Sequence, residues 1–566
     1  MTLHFLRKFC RRLAAGTLAI AAMVVGAPAV WAQDGFSLFP GNFFIPGNLV
    51  VTRSVYANEN NISAGVTNLP PGCGAAADPC MTAITSSAYP YVFNNDTVDG
   101  SFGITSKIYL DQITPFGGFV LTSLEVPNST QKGVKATSDQ MVTSFSSKSE
   151  LALSLSVNRK TLTFLGYYAP VGAIDVSNSN TPGEIDPTNP IGPSYYRSVA
   201  EISTLGNFHF TLTNAFTGDN GRAAILNDNP GAGVVYMAGN AGNGSGKVQP
   251  AGTILSTGAQ ILTPVNEAED LQTPGNPTPV GSFNITQLGD KIDKVGKDTN
   301  FRGVTVYNNV LYYTKGSGSN GVNTVYFVDP TGTVCTNTNG DGLPASGASL
   351  PISPLAYNPA TIQTNGLQPD NMCILKGFPT VSAKTPSAYP FGIWFASPTV
   401  VYVADEGAGD PGSATPADFY TFGTSAQNPT AGLQKWIFNG TQWQLAYTLT
   451  NGLELGVPYN VPGYPTGLNA GPGGTGLPWA PATDGLRNIT GQVNFDGTAT
   501  IYAITSTISG SGDSGADPNK LVAITDELNA TTLPAWETFV TLKTAGSGEV
   551  LRGVAFTPGT PSTPIF

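Results

Sequence analysis

Apolar and polar residues alternate in short runs along most of the chain, and these runs recur as larger units of similar form. FRGVTVYNN is followed by VLYYTKGSGSNG, YPFGIWFASP by TVVYVADEGAGD, and LRNITGQVNFDG by TATIYAITSTISGSG. Alternation with a period of two, interrupted by Gly, Asn and Asp, is typical of β-strands joined by tight turns. Each unit is therefore predicted to be a four-stranded antiparallel meander, and less regular units of the same kind occupy 150–215 and 219–263.

The two ends of the chain complement each other. NLVVTRSVYANEN resembles the second strand of a unit, whereas EVLRGVAFTP (549–558), near the C-terminus, has the form of a first strand. Pairing these two strands in one blade closes a ring and leaves no open sheet edge. We therefore predict an all-β fold, a single β-propeller of six four-stranded blades, with room for a seventh in 264–300 or 336–388. Two stacked β-sandwich domains are the alternative.

Long segments rich in Gly, Pro and Asn separate some of the predicted strands, at 57–100, 175–195, 335–388 and 454–483. The strand pattern resumes in phase after each of them, which indicates loops on the blade rims and not linkers between domains. Residues 33–566 are thus expected to form one domain.

The strings LRGVAF, TVVYVADEG and GLQKWIF resemble the repeats of secreted bacterial β-propellers of the NHL and YVTN type. This resemblance implies a propeller that binds a partner or ligand on one face, and some relatives are enzymes. It implies an architecture and does not identify the chemistry.

The first 32 residues have the form of a secretory signal peptide. Basic residues, among them Arg7 and Lys8, precede an apolar stretch over 13–25 and the small-residue string AVWA. The apolar stretch is too short to be a typical membrane anchor, although a single-pass anchor is the alternative. We expect cleavage near Ala32 and a secreted or periplasmic protein without membrane insertion.

Charge and cysteine content are consistent with export. Beyond residue 32 the chain has 22 Lys and Arg against 37 Asp and Glu, a net charge of −15, which argues against nucleic acid as a partner. Four cysteines remain in this part, and in an exported chain an even number indicates disulfides. We predict the pairs Cys73–Cys80 and Cys335–Cys373, which together are one of three possible connectivities. We also expect a monomer. A zinc site is the alternative for these cysteines.

An acidic residue and an arginine recur together at the start of predicted innermost strands. The four pairs are Asp219 with Arg222, Asp298 with Arg302, Asp484 with Arg487, and Glu549 with Arg552. Equivalent positions in a propeller gather around one mouth of the central channel, so all eight residues are candidate ligand-binding residues. One interpretation is that each pair locks adjacent blades through an ion pair. The other is a charged funnel that selects a polar or anionic ligand.

Nucleophilic catalysis has little support in the sequence. The part beyond the signal has one histidine, His209, and no GxSxG motif, so no nucleophile–base set is evident. Paired carboxylates remain, as Asp96 with Asp99 and as Asp405 with Glu406. We take Asp405 and Glu406 as weak catalytic candidates, because glycosidases use two carboxyl groups.

No cofactor is expected. Calcium is the alternative in CTNTNGDGLP (335–344), which offers the single carboxylate of Asp341.

Three aromatic residues of the loop 454–483 are further candidates for ligand contact, Tyr459, Tyr464 and above all Trp479. Either they stack on a sugar or peptide, or they cover the blade beneath.

Two functions follow from these observations. The first is a non-enzymatic propeller that binds a protein, a glycan or a small polar ligand at the channel face. The second is a carbohydrate-active enzyme, a glycoside hydrolase or polysaccharide lyase, that uses paired carboxylates.

Overall fold

A computed structural model provides the structure of the protein. It describes residues 43–57, 61–73, 80–100, 102–184, 192–240, 258–264, 278, 280–283, 285, 300–316, 322–331, 333–334, 340–353, 372–381, 388–412 and 421–562. All elements lie in one compact unit, Phe44–Phe566. The strands are β1 (Leu49–Val55), β2 (Asn68–Leu69), β3 (Met81–Thr82), β4 (Thr105–Ile113), β5 (Val120–Glu125), β6 (Thr143–Ser144), β7 (Ser154–Leu155), β8 (Leu162–Tyr167), β9 (Arg197–Ile202), β10 (Phe208–Thr213), β11 (Gly221–Asn227), β12 (Val234–Gly239), β13 (Ala259–Leu262), β14 (Val280–Phe283), β15 (Phe301–Tyr307), β16 (Val310–Lys315), β17 (Thr324–Val328), β18 (Asp341–Gly342), β19 (Met372–Leu375), β20 (Pro390–Ser397), β21 (Val400–Asp405), β22 (Gly432–Phe438), β23 (Trp443–Leu449), β24 (Ala482–Val493), β25 (Thr498–Ile508), β26 (Lys520–Glu527), β27 (Val540–Thr544) and β28 (Glu549–Phe556). Helical structure among these residues is limited to α1 (Gly423–Ala426) and the 3-10 helices Tyr91–Thr97, Val176–Asn178 and Ser514–Ala516.

The strands form six blades, as the sequence pattern predicts. From the channel outward, blade 1 has the order β28-β1-β4-β5, blade 2 β7-β8-β9-β10, and blade 3 β11-β12-β13-β14. Blade 4 has the order β15-β16-β17-β19-β18, blade 5 β20-β21-β22-β23, and blade 6 β24-β25-β26-β27. The propeller is therefore confirmed, and the sandwich alternative is wrong. Strands β14, β18 and β19, from the regions that left room for a seventh blade, belong to blades 3 and 4.

Blade 1 joins the two ends of the chain. Strand β28 runs antiparallel to β1, with Leu49 opposite Phe556 and Val55 opposite Glu549. Strand β1 pairs in turn with β4, and β4 with β5. The last copy of the repeated phrase is thus the innermost strand of the first blade, as predicted.

The six innermost strands contact one another in a closed ring, in the order β7, β11, β15, β20, β24, β28 and back to β7. Their backbones approach so closely that some positions have no room for a side chain. A Cβ atom on Gly303 would lie 2.3 Å from the carbonyl oxygen of Phe391, and one on Gly553 2.3 Å from that of Leu151. The glycine that follows arginine in FRG and LRG is therefore required by this close approach.

Apolar side chains fill the space between neighbouring blades. Where blade 6 meets blade 1, Tyr502 and Ile504 pack with Val51, Leu551 and Phe556 in one buried cluster. Removal of this surface from water is the main favourable term for assembling such a ring. Blade 1 is held on one side by these contacts and in its interior by the pairing of β28 with β1.

Of the two predicted disulfides, Cys73–Cys80 is present. Cys373 is disulfide-bonded, and its predicted partner Cys335 lies outside the described residues. The signal peptide also lies outside them. No helix in the described ranges is long and apolar enough to cross a membrane.

The ring closure yields the first testable prediction. Removing residues 549–566 deletes β28 together with Leu551, Val554 and Phe556, all at most 2% exposed. Each such side chain contributes roughly 1.5–3 kcal/mol through burial, and the total approaches the stability of a typical domain, about 5–15 kcal/mol. We expect this variant to aggregate, or to melt far below the full chain, in differential scanning calorimetry.

A shorter deletion is the control. Thr560 is buried and bonded, since its hydroxyl accepts from the Gly47 N–H at 2.8 Å and its carbonyl oxygen accepts from Arg159 Nε at 2.7 Å. A chain ending at Pro561 keeps these bonds and should melt close to the full-length protein. An unchanged melting curve after loss of 549–566 contradicts the ring closure.

Candidate functional site

Four of the predicted arginines lie at equivalent positions on four innermost strands. They are Arg222 on β11, Arg302 on β15, Arg487 on β24 and Arg552 on β28. Each lies at a β-bulge, where the register with the second strand shifts and the arginine faces no partner residue. A bulge re-aims the side chain of its extra residue. We call these four side chains, together with Glu406, the arginine cluster.

Glu406 bridges two of the arginines. It follows β21 of blade 5, and its Oε1 lies 3.2 Å from Arg302 Nη2 while its Oε2 lies 3.3 Å from Arg487 Nε. Blade 5 has Phe391 at the position where other blades carry arginine, and the Arg302 guanidinium lies over that ring, 5.8 Å from its centroid. Blades 4, 5 and 6 are thereby connected through one carboxylate.

Arg552 is hydrogen-bonded through each of its three guanidinium nitrogens. It donates to the carbonyl oxygens of Phe145 and Ser147, and its Nε donates to Ser54 Oγ at 3.2 Å. These contacts join β28 to the segment that precedes blade 2. The interpretation of the arginines as locks between blades therefore fits Arg552 best.

Arg222 and Arg487 make fewer contacts. Arg222 Nη1 donates to Asn300 Oδ1 and, at 3.1 Å, to the carbonyl oxygen of Phe301. Its Nε is buried and has no hydrogen-bond partner within the described residues. Arg487 donates from Nε to Glu406. Buried N–H groups are normally satisfied in native proteins, so the Arg222 Nε donor stands out.

Burial shapes the electrostatics of the cluster. It lowers the pKa of Arg222 to about 9, with the charge of Arg302 adding to the effect. It likewise lowers the pKa of Arg552 to about 10, helped by Arg487. Burial alone would raise the pKa of Glu406, but the charges of Arg302, Arg487 and Arg222 outweigh it, and the pKa is lowered. Glu406 is therefore an anion at neutral pH.

Two acidic members of the repeated phrase, Glu549 and Asp484, are bonded to residues other than their own arginines. Glu549 binds Arg53, with Oε1 2.7 Å from Nη1. The Asp484 carboxylate accepts from Ser425 Oγ and from the Gly409 N–H. The predicted lock between each acid and its own arginine is therefore wrong for these two pairs.

Asp219 feels the charge of Arg222, but its hydrogen bonds are to other residues. Its carboxylate accepts from the Asn220 N–H at 2.9 Å and from the Asn240 side chain. Burial raises its pKa to about 6, against the opposing charge of Arg222. Asp298 lies outside the described residues.

A second polar group lies near Arg552, around Asp513 and Lys148. Asp513 is buried and accepts from the Gly515 N–H at 2.8 Å, and burial raises its pKa against the opposing charge of Lys148. Half-buried Asp96 belongs to this group. Burial and then the charge of Asp513 raise its pKa to about 8. Sequence reasoning singled out Asp96 but missed Asp513 and Lys148, which lie outside the repeated phrase.

One signal could have identified Lys148. The segment SSKSE (146–150) precedes β7 and occupies in blade 2 the place that the acid–arginine phrase occupies in other blades. Its Ser149 accepts from Arg302 Nη1 at 2.6 Å. Its Glu150 is buried and accepts from Tyr167 OH. An alignment of blades by position would therefore have brought this segment into the site.

Asp405, the other weak catalytic candidate, is 0% exposed. Its carboxylate accepts from the Tyr389 N–H at 2.8 Å and the Gly407 N–H at 3.0 Å. Burial raises its pKa to about 6 despite these bonds. Asp405 thus orders the loop before β20, while Glu406 is bonded to Arg302 and Arg487.

The predicted aromatic surface is largely covered. Trp479 is 2% and Tyr464 6% exposed, and both belong to one buried cluster with Val461. Tyr459 is half-buried, with Lys520 Nζ 3.8 Å from its ring centroid. Trp479 and Tyr464 therefore cover the blade, and a stacking role for Trp479 is corrected.

The remaining candidates lie away from the channel. His209 lies on β10, the outermost strand of blade 2, with Nδ1 3.8 Å from Glu201 Oε1. Asp341 lies on β18 at the outer edge of blade 4. No group of three or more His, Cys, Asp or Glu side chains within the described ranges is arranged to hold a metal ion.

Comparison with known proteins leaves the family open. No family model matches the chain, and no curated protein matches its sequence. Among solved structures, the chain is similar to the parainfluenza virus 5 hemagglutinin-neuraminidase ectodomain. The two share 14% identity over 78% of this chain and 75% of that one, with a TM-score of 0.25. A similarity this weak carries no argument about activity.

The buried acids give a testable pH dependence. Burial raises the pKa of Asp219, Asp405 and Asp484 from 3.8 to about 6. The folded state therefore binds protons more tightly than the unfolded chain, and stability is lost as pH rises through about 6. Urea denaturation should give a higher unfolding free energy at about pH 5 than at about pH 7.5, by about 1 kcal/mol per aspartate.

Glu406 does not oppose this trend. Because its pKa is lowered from 4.5 in the folded state, its effect on stability changes with pH only below about pH 4.5. Asp484→Asn should flatten the pH dependence. Asp410→Asn, in the same region but exposed, should leave it unchanged. Stability that rises between pH 5 and 7.5 would show that these aspartates are not held as described.

Proposed function

We propose that the protein is an exported propeller that binds a small ligand through the arginine cluster, and that the ligand presents a carboxylate or another oxyanion. The observation that carries this proposal is that the cluster has more guanidinium groups than carboxylates bonded to them. Arg222, Arg487 and Arg552 come from three blades, and among the described residues only Arg487 has a carboxylate, Glu406, as a bonded partner. Guanidinium groups prefer planar oxyanions because their donors match two oxygens at once.

Donors without partners support the same conclusion. Arg487 donates to Glu406 through Nε, and no described residue accepts from its Nη1 or Nη2. Among the described residues, Arg222 Nε likewise has no acceptor. An oxyanion bound at either side chain would supply an acceptor that no described residue provides, and burial strengthens such a bond.

The cluster is within reach of solvent. The side chains of Arg302 and Glu406 are 11% and 10% exposed, and the neighbouring Lys148 is exposed. The net charge of −15 disfavours a long polyanion by long-range repulsion. A small acidic sugar or organic acid fits these conditions better than an acidic polymer.

Membership among secreted bacterial propellers of the NHL and YVTN type is part of this proposal. It is supported by the repeat strings and by the Cys73–Cys80 disulfide, which suits an oxidising compartment. An exported propeller of this kind meets small ligands of the surroundings or of the cell envelope.

Isothermal titration calorimetry with galacturonate, and with neutral galactose as comparison, tests the binding function. We expect galacturonate to bind and galactose to bind at least tenfold more weakly. Arg487→Gln should weaken galacturonate binding by about tenfold to a hundredfold, the range for hydrogen bonds to a charged group. The matched control is Lys543→Gln, which removes one positive charge from the outermost strand of blade 6.

Equal affinity for acidic and neutral sugars contradicts the proposal, as does full galacturonate affinity in Arg487→Gln. If Arg487→Gln instead lowers the melting temperature while no acidic ligand binds to the unaltered protein, the cluster serves only to lock the blades.

A second candidate function is hydrolysis of a glycosidic bond, and Asp96 is the observation that favours it. With a pKa of about 8, caused by burial and by Asp513, Asp96 keeps its proton at neutral pH and is suited to act as a general acid. Asp513 nearby supplies a second carboxyl group, as glycosidases require.

Turnover of a panel of polysaccharides tests this second candidate. Under it, the unaltered protein releases oligosaccharides and Asp96→Asn lowers the rate by at least about a hundredfold, the contribution typical of general acid catalysis. Asp496→Asn, in an exposed turn, should have no effect. The absence of release from every substrate supports the binding function alone.

A further inference from the structure

Beyond the arginines along the central channel lies a cavity of about 620 Å³. It is lined by innermost strands of all six blades and extends to their far ends, where the β15–β16 turn exposes Asn308 and Asn309. None of the arginines of the cluster lines it. Its volume falls in the range of about 300–1,000 Å³ that is usual for small-molecule sites. The cavity is therefore a second space, distinct from the arginine cluster.

The walls of this cavity carry both polar and apolar surface, and aromatic rings lie among them. Val304, Val306 and Ile489 contribute aliphatic surface, and Trp394 and Tyr307 contribute half-buried rings. Tyr307 stacks on Phe395, which also lines the cavity, with ring centroids 4.7 Å apart and planes 8° apart. These rings are the flat apolar part of a wall that is otherwise largely polar, and they suit a ligand that joins a flat apolar body to a polar group.

The charge of the lining is confined to one residue. Arg159 is the one charged side chain among the described residues around the cavity, and no acidic residue is among them. It lies in the turn between β7 and β8, where Nε donates to the Thr560 carbonyl oxygen at 2.7 Å. No described carboxylate pairs with it, and burial alone accounts for its lowered pKa. A half-buried cation without a counter-ion favours an anionic group on whatever occupies the cavity.

We propose that this cavity is a second binding site, and that it takes an organic anion with a flat apolar body whose acidic group binds Arg159. The apolar body lies against Trp394 and Tyr307, and the remaining guanidinium donors of Arg159 receive the anion. This site is independent of the ligand at the arginine cluster, because no arginine of that cluster lines the cavity. It makes the propeller a protein with one polar and one amphipathic site at opposite ends of its channel.

Fluorescence titration with 1-anilinonaphthalene-8-sulfonate tests this proposal, because the probe combines a flat apolar body with one sulfonate. N-phenyl-1-naphthylamine, the same body without the sulfonate, is the comparison. We expect one equivalent of the sulfonate to bind, at least about tenfold more tightly than the neutral amine, as a charge-assisted hydrogen bond predicts. Arg159→Gln should remove this difference. Lys160→Gln, which removes the next positive charge along the chain but does not line the cavity, should preserve it.

Two variants that fill the cavity from different blades complete the test. Val306→Trp on β15 and Thr490→Trp on β24 each place an indole in the space, and either one that melts like the unaltered protein should lose binding of both probes. A variant with a lowered melting temperature is set aside in favour of the other. The proposal is overturned if the sulfonate fails to bind the unaltered protein, if Arg159→Gln keeps the preference for it, or if a folded tryptophan variant binds as before.

Discussion

Close contact between the innermost strands is the constraint on which the rest of the structure depends. Six strands must meet around one axis, and at Gly303, Gly392 and Gly553 the neighbouring backbone leaves no space for a Cβ atom. The same short segments carry the bulges that free Arg222, Arg302, Arg487 and Arg552 from the ladder. Ring closure and the arginine cluster thus have a common local origin. A bulge increases the twist of its strand and turns one side chain out of the sheet, which here directs an arginine from each of four blades to one place.

This arrangement divides the arginines by role. Arg552 donates to the carbonyl oxygens of Phe145 and Ser147 and so stabilises the blade that joins the chain ends. Arg487 and Arg222 are as deeply buried but less fully bonded. A buried charge with unmet donors costs free energy unless something else satisfies it. The repeat therefore supplies four similar residues, and their different surroundings make some structural and leave others available to a ligand.

The blade pattern could be predicted from the sequence because alternation and turn residues are local properties. The pairing of β28 with β1 was also predictable, since an incomplete first unit and a surplus last strand imply each other. The partners of the charged residues were not. Glu549 binds Arg53 and Asp484 binds Ser425, because the bulge turns each arginine away from the acid beside it in sequence. Asp513 and Lys148 lie in loops, and the alternation that predicts strands does not predict the path of a loop. The Gly- and Pro-rich neighbours of Trp479 predict a surface residue, yet it packs against Tyr91 and Tyr464.

The most direct measurement is a crystal structure of the protein with galacturonate bound at neutral pH. The account predicts density for the sugar carboxylate beside Arg487, with its oxygens about 3 Å from Nη1 and Nη2, and Glu406 still bonded to Arg302. Density for the sugar elsewhere, or protein groups that fill both Arg487 nitrogens without a ligand, would contradict the account.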